Sequence, residues 1–269
     1  MLQDIAQAAA NLLEAAEQVN KERRLKPAIV IIRKGMAKAF RKQGDIVLSG
    51  MARHKSAFPT VEEALGPEDF DPVISAAFED TSTAMIESIE EGTSKALATG
   101  ADSTIAGAGV DVSFKLKNPR AVKWLESNAA KAVKGINDTT KLQMRGILAQ
   151  ATEEGWSYGK TAKKIRTEFD GFAFKKPQLH IRDRATLVAV NESANAYEQG
   201  SRMGVDEMAA AGLTMEKHWL NVGDDRVSDG CNQNTSAGWI LHDSSFPSGH
   251  QNPPRFPGCR CTTQYRRRK

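Results

Sequence analysis

Apolar residues recur at intervals of three or four positions over much of the chain, which places them on one side of a series of helices. The apolar stripes include Leu2, Ile29, Ile74, Val122, Ile136 and Ile165 near their beginnings. The segment 181–204 predicts a last long helix, which we expect to stop at Gly200 or Gly204. The pattern therefore predicts a mainly helical chain as far as residue 204.

Beyond Lys217 the pattern changes to short runs, "KHWL" and "GWILHD", which are separated by glycines. Runs with aromatic and β-branched residues between turn signals are typical of strands and tight loops. We expect Trp219 and Trp239 in the core of a small β-containing module over residues 215–265. The predicted fold class is α+β, with mainly helical N-terminal and middle regions and this small C-terminal module.

The segment 100–112 is rich in small residues and has no helical period, which predicts a linker. It would separate an N-terminal helical domain, residues 1–99, from a C-terminal domain, residues 113–269. The second domain would contain helices over 118–204, the module over 215–265 and a basic tail at 266–269. Because the N-terminal domain would be separable, it is the candidate region for contacts with a partner.

Composition excludes several classes of protein. The 269 residues are 40% hydrophobic and 26% charged, so the chain can bury a core. No apolar run is long enough for a membrane span, and acidic residues interrupt the N-terminal apolar pattern, so we expect a soluble protein made in a cytoplasm. The net charge of +4 combines −2 over residues 1–120 with +6 over residues 121–269. This excess is far below that of a dedicated DNA-binding protein, although it permits contact with polyanions.

Three cysteines are too few for a disulfide framework in a chain of this length, and an odd number of them cannot all pair. Cys259 and Cys261 form a close pair, and Cys231 could join them as a third zinc ligand with His250 or His242 as the fourth. The alternative is that all three are small buried residues of a reduced interior. A redox pair is less favoured, because no helix N-terminus is predicted there to lower a thiol pKa.

A second set of residue types could support hydrolysis. His218, Asp224, Asp225 and His242 could hold a divalent ion and activate water, as in a nuclease. However, the segment "NVGDDRVSDG" favours a turn for its own conformational reasons. The turn is therefore the preferred interpretation of the paired aspartates.

Five segments occur in an order that resembles the phage Mu F-like minor head protein family, the head morphogenesis or minor capsid proteins. They are NPRAVKWLE, GINDTTKLQMRGILAQATEEGWSYGKTAKKI, RATLVAVNESANAYEQG, KHWLNVGDDRVSDGC and FPSGHQNPPRFPGCRCT. The resemblance covers about residues 113–265. It implies family-signature positions at Arg184, Glu192, Trp219, Asp224 or Asp225, Arg226, Cys259, Arg260 and Cys261; of the two aspartates we assign Asp225.

The sequence departs from the family pattern at two positions. Members that look zinc-bound carry a further cysteine and a histidine where this chain has Ser228 and Phe256. The zinc ligands that remain are Cys231, Cys259, Cys261 and His250, and no other cofactor is expected. We expect the final cysteines to stabilise the terminal module rather than to take part in catalysis.

The resemblance implies a non-enzymatic virion protein of the portal vertex or capsid interior, present in the host cytoplasm during assembly. It would act in head assembly and in DNA packaging or delivery. The implied partners are the portal protein, the major capsid or scaffolding protein and packaged double-stranded DNA bound non-specifically; no membrane is expected. The alternative is a metal-dependent nuclease or toxin-like enzyme built on the C-terminal module, because Mu F-like modules occur fused to toxin domains.

Overall fold

The computed structural model describes residues 2–57, 67–108, 113–116, 118–174 and 183–268. Its helices are α1 (Leu2–Ala57), α2 (Pro67–Ala108), α3 (Pro119–Glu153), α4 (Tyr158–Phe174), α5 (Arg184–Ala210) and the short α6 (Asp229–Ser236). The strands β1 (Met215–Leu220), β2 (Ile240–Leu241) and β3 (Thr262–Arg267) form one antiparallel sheet in the order β2-β1-β3. The predicted α+β class is confirmed.

Two helices extend beyond the predicted boundaries. The stripes on either side of Pro27 belong to the single helix α1, because Leu25 and Ala28 are both buried and their packing outweighs the local cost of the proline. The predicted linker at 100–112 is wrong for residues 100–108, which form the last turns of α2 and bury Ala101 and Ile105. Residues 109–112 lie outside the described ranges.

Glycines in α2 and α5 serve close packing rather than helix ends. A Cβ atom added to Gly200 would lie 1.9 Å from the carbonyl oxygen of Leu97, and one added to Gly100 would lie 2.0 Å from that of Tyr197. The Ser201 hydroxyl donates to the Gly100 carbonyl at 3.2 Å. The predicted stop at Gly200 or Gly204 is therefore wrong, because α5 needs glycine where its backbone touches α2 and continues to Ala210.

The chain forms two compact units, and both are discontinuous in sequence. The first unit comprises Met1–Val30, Glu91–Leu125 and Val190–Lys269, and the second comprises Ile31–Glu90 and Glu126–Ala189. This division differs from the predicted one at 1–99 and 113–269, since the long helices contribute to both units. The start of the described chain therefore belongs to the same unit as the C-terminal module.

The core of the second unit is built from apolar residues at helical spacing. Its fully or almost fully buried members include Ile32, Met36, Phe40, Ile74, Met85, Ile89, Met144, Ile165 and Phe169. One polar network lies among them: the Gln43 amide donates to Thr81 Oγ1 at 2.9 Å and to Asn137 Oδ1 at 3.1 Å. Among the described helices, none is both long and apolar enough to cross a membrane.

Candidate functional site

The C-terminal module is organised around Trp219, which is fully buried on β1. Its ring packs edge-on against Phe246 with centroids 5.1 Å apart, and three cysteines complete the cluster. Trp239 is only half-buried, so the expectation of a second core tryptophan is wrong. Its ring lies 4.1 Å from the guanidinium of Arg266 and 5.4 Å from the ring of His218, which places it over polar side chains of the sheet.

The three cysteines meet in this core. Cys231 lies on α6, whereas Cys259 and Cys261 lie in the loop that leads into β3. All three are buried free thiols, and their sulfurs lie within 4.8 Å of one another, with Cys231 and Cys259 at 4.0 Å. Within the described ranges they are the one group of three or more His, Cys, Asp or Glu side chains whose ligand atoms lie this close. Three thiolates in such proximity fit three corners of a zinc tetrahedron, which has Zn–S bonds of about 2.3 Å.

His250 is not brought to this group. Its Nδ1 atom lies 3.1 Å from the hydroxyl and 3.0 Å from the carbonyl oxygen of Ser248. The Ser248 backbone N–H in turn donates to Asn234 Oδ1 at 3.0 Å, and the Phe246 N–H donates to the His250 carbonyl at 2.9 Å. These bonds close a local turn that keeps the imidazole away from the sulfurs. The fourth predicted zinc ligand is therefore not supplied by His250.

Arg255 occupies part of the space beside the cluster. Its Nη1 atom donates to Ser228 Oγ at 3.0 Å and contacts Cys231 Sγ at 3.8 Å. A Cβ atom on Gly230 would lie 2.4 Å from the guanidinium, so the glycine makes room for it. Ser228 thus binds an arginine, and Phe256 is 41% exposed. Neither position at which the chain departs from the family pattern carries a metal ligand here.

The environment of the thiols separates their acidities. The pKa of Cys259 is lowered, first because Cys261 hydrogen-bonds its sulfur and then because backbone groups of Cys261 and Arg255 do so. The pKa of Cys261 is raised by the same contact and by burial. Cys259 is therefore the first of the pair to ionise, and the guanidinium of Arg255 lies beside the third thiol, that of Cys231.

The aspartate pair forms a turn and an ion pair. Asp224 accepts two hydrogen bonds of 2.7 Å from Arg260, and its Oδ1 accepts the Arg226 backbone N–H at 3.1 Å. Arg260 lowers the pKa of Asp224. Asp225 is exposed. The signature arginine Arg260 is thus bound by Asp224, and the predicted signature aspartate Asp225 does not take part in this ion pair.

The candidate hydrolytic residues are held in separate contacts. His218 Nε2 lies 3.1 Å from the carbonyl oxygen of Thr235, and its ring packs on Trp239. Among the described residues, His218, Asp225 and His242 form no group whose ligand atoms converge within 4.8 Å. The geometry that a nuclease metal centre requires is not assembled from these three side chains.

Arg184 lies in the second unit, where its side chain packs on aromatic rings and donates hydrogen bonds. Its guanidinium lies 4.6 Å from the ring of Phe172 and 5.3 Å from that of Phe40, and it donates to Thr140 Oγ1 at 3.1 Å. Burial lowers its pKa to about 10. Glu192 is half-buried and accepts a hydrogen bond from Asn191. The two signature residues of α5 therefore have different surroundings.

Glu198 is a buried residue that sequence reasoning missed. It is fully buried and accepts hydrogen bonds from Lys21 Nζ at 2.5 Å, Thr262 Oγ1 at 2.7 Å and the Thr263 N–H at 3.1 Å. Lys21 Nζ also donates to the carbonyl oxygen of Cys261 at 2.9 Å. Helical spacing from the buried Ser201 was the available signal. This carboxylate fixes β3 to α5 and α1.

Lys217 is the second missed residue. It is 1% exposed, and its Nζ atom donates to the carbonyl oxygen and to the side-chain Oε1 of Gln251, both at 2.9 Å. Burial lowers its pKa to about 8. Because Lys217 is two positions from Trp219 on β1, strand alternation places both on one face. That alternation was the signal in the sequence.

Comparison with family models gives one match, which covers the C-terminal part of the chain. Residues 142–264 match the family described as Phage Mu protein F like protein. The match contains α4, α5, the cysteine cluster and most of the sheet. This part of the chain is therefore similar to the Phage Mu protein F-like family. Comparison with curated proteins and with solved structures gave no match.

Proposed function

We propose that the protein is a minor capsid protein of the portal vertex, where it acts in head assembly and in DNA packaging or delivery. The observation that carries this proposal is the family match over residues 142–264. That segment ends in a rigidly connected module, because Glu198 and Lys21 tie β3 to two long helices. Such a module suits a structural position in a large assembly.

The proposed partners follow from the same class. The portal protein is the main one, with the major capsid or scaffolding protein as a further contact during assembly. Arg266, Arg267 and Arg268 are exposed at the end of β3, where they could contact the phosphates of packaged DNA non-specifically. Glu216 forms ion pairs with Arg266 and Arg268, which reduces the charge available to DNA.

Localisation in assembled heads tests the proposal directly. We expect a cryo-EM reconstruction without imposed symmetry to show the protein at the unique vertex, and the portal protein to co-purify with it. Density distributed over all vertices, together with no portal association, would contradict the assignment. For DNA, binding that disappears at physiological salt would remove packaged DNA from the partners.

We propose a non-enzymatic role, since the family is one of structural head proteins. A nuclease assay with Mg²⁺ or Mn²⁺ provides the test, with Asp225→Ala as the matched variant. We expect no metal-dependent cleavage by either protein. Cleavage by the native chain that Asp225→Ala abolishes, with the fold intact, would establish the enzyme instead.

We propose that the cysteine cluster holds one structural zinc ion through Cys231, Cys259 and Cys261. Zinc bound there would cross-link α6 to the loop before β3 and keep the thiols ionised. Elemental analysis of protein purified without added metal should give a zinc-to-protein ratio near one, and a chelator should lower the melting temperature. A ratio near zero without a chelator effect would leave the cysteines as packing residues. In that case Cys261→Ala should cost only modest stability.

A further inference from the structure

A polar groove runs along the edge of β3 that faces away from β1. Its volume is about 360 Å³. One side is formed by Lys21 and Arg24 of α1, the other by Ser103 and Thr104 of α2, and residues 262–265 of β3 lie between them. All of these residues belong to the first unit.

The backbone of β3 directs hydrogen-bonding groups into this groove. The Arg268 N–H donates to the Thr214 carbonyl on the β1 side, so alternate residues point to β1 and the residues between them point away. Thr263 and Tyr265 belong to the outward set. The Thr263 N–H is taken by Glu198, whereas its carbonyl oxygen and both backbone groups of Tyr265 have no hydrogen-bond partner among the described residues. The buried hydroxyl of Thr263 likewise has no hydrogen-bond partner among the described residues.

The charges around the groove define what can enter it. Lys21 is neutralised by its ion pair with Glu198. Arg24 is exposed and forms no ion pair within the described ranges, so the groove has a net positive side. The opposite side offers the hydroxyls of Ser103 and Thr104. An unpaired strand edge binds an extended backbone, and a cation beside it selects an acidic side chain.

We propose that this groove is the docking site for an extended segment with an acidic side chain, which adds to β3 as a further strand. The segment belongs to a neighbouring head protein; this identification rests on the proposed function, under which the neighbour is the portal protein. The backbone groups of Thr263 and Tyr265 supply the pairing, and Arg24 supplies the charge selection. Glu198 limits the pairing by occupying the Thr263 N–H.

Two matched pairs of variants test the groove by co-purification with the portal protein of the same phage. Thr104→Trp fills the groove, whereas Ala106→Trp puts the same bulk on an exposed position of α2 outside the lining. Arg24→Glu reverses the charge on the rim, whereas Arg23→Glu makes the same change one residue away and outside the lining. We expect Thr104→Trp and Arg24→Glu each to weaken association about tenfold or more. The two control variants should associate as the native chain does.

A second readout keeps the result independent of folding defects. Amide hydrogen exchange of the peptide containing residues 262–267 should slow in the portal complex, because the outward N–H groups become paired. Arg24→Glu, an exposed change, should remove that protection while the melting temperature stays unchanged. Protection elsewhere with none on β3 would overturn the inference.

The remaining outcomes are distinguishable. If the native chain associates with the portal protein and all four variants associate equally, the groove inference fails and the proposed function stands. If the native chain does not associate at all, both fail. A concentration-dependent dimer that Thr104→Trp abolishes would assign the groove to a second copy of this chain and overturn the portal segment.

Discussion

The second unit and the C-terminal module build their cores in different ways. In the second unit, many apolar side chains of similar size share the burial along extended helices. In the module, Trp219, Phe246 and three thiols form the core, and Lys217 and Asn234 are buried beside it with specific hydrogen-bond partners. Burial in the helices is therefore distributed over many side chains, whereas the module depends on a few individual ones.

The largest expected effect comes from removing the centre of the module. Trp219→Ala should lower the free energy of unfolding by about 3 to 5 kcal/mol, because a fully buried ring leaves a cavity. Trp239→Ala should cost clearly less, since that ring is half-buried. Denaturant unfolding of both variants measures the difference. Equal losses in the free energy of unfolding for the two variants would show that the module does not depend mainly on Trp219.

The next largest loss in the free energy of unfolding is expected from a single contact between helices of the first unit. Gly200→Ala should destabilise the protein by about 1 to 3 kcal/mol, since the added methyl group meets the Leu97 carbonyl 1.9 Å away. Gly135→Ala is the matched control, because nothing lies within 4 Å of its added Cβ. That control should be neutral or stabilising by up to about 1 kcal/mol. Thermal unfolding that ranks the two variants the other way would refute the close approach of α2 and α5.

The buried lysine should make stability depend on pH. The folded-state pKa of Lys217 is about 8, below the usual value of about 10.4 for an unfolded chain. Between these values the unfolded state binds the extra proton, so stability should rise as the pH rises from 8 to about 10.4. Lys217→Met should lose this rise.

Melting temperatures of the native chain and of Lys217→Met across that range provide the measurement. Lys34→Met, which removes an exposed lysine of the second unit, controls for the loss of one charge. Parallel pH curves for the native chain and Lys217→Met would show that the amine is not desolvated in the module.

The smallest expected effect concerns the turn at the surface of the module. Asp224→Asn should change the free energy of unfolding only slightly, because its ion pair with Arg260 is partly exposed and screened by water. Chemical unfolding at low and high salt should show that the difference shrinks as salt rises. A loss as large as that of Trp219→Ala would add this ion pair to the few contacts on which the module depends.

The predictable part of the fold was the part with a local period. The stripes that contain Ile32, Met36 and Phe40 are buried as predicted, because a helical repeat is visible within a short window. The end of α2 was missed because glycines and small residues that indicate a linker also permit close helix packing. In the site, the three cysteines were found from their spacing and residue type. Arg255 and Glu198 were not, since their partners are distant in the sequence.

The buried contact of Lys21 with Glu198 and with the Cys261 carbonyl bears on the order in which the protein can fold during synthesis. Lys21 is separated along the chain from Glu198 by 177 positions and from Cys261 by 240 positions. The second unit has all its residues once position 189 has left the ribosome, whereas Lys21 must wait until Cys261 has been translated. The ammonium group of Lys21 therefore cannot make all of its buried contacts until the 240 residues that follow it have been translated. The first unit can close only after Cys261 has been translated, well after the second unit has all its residues.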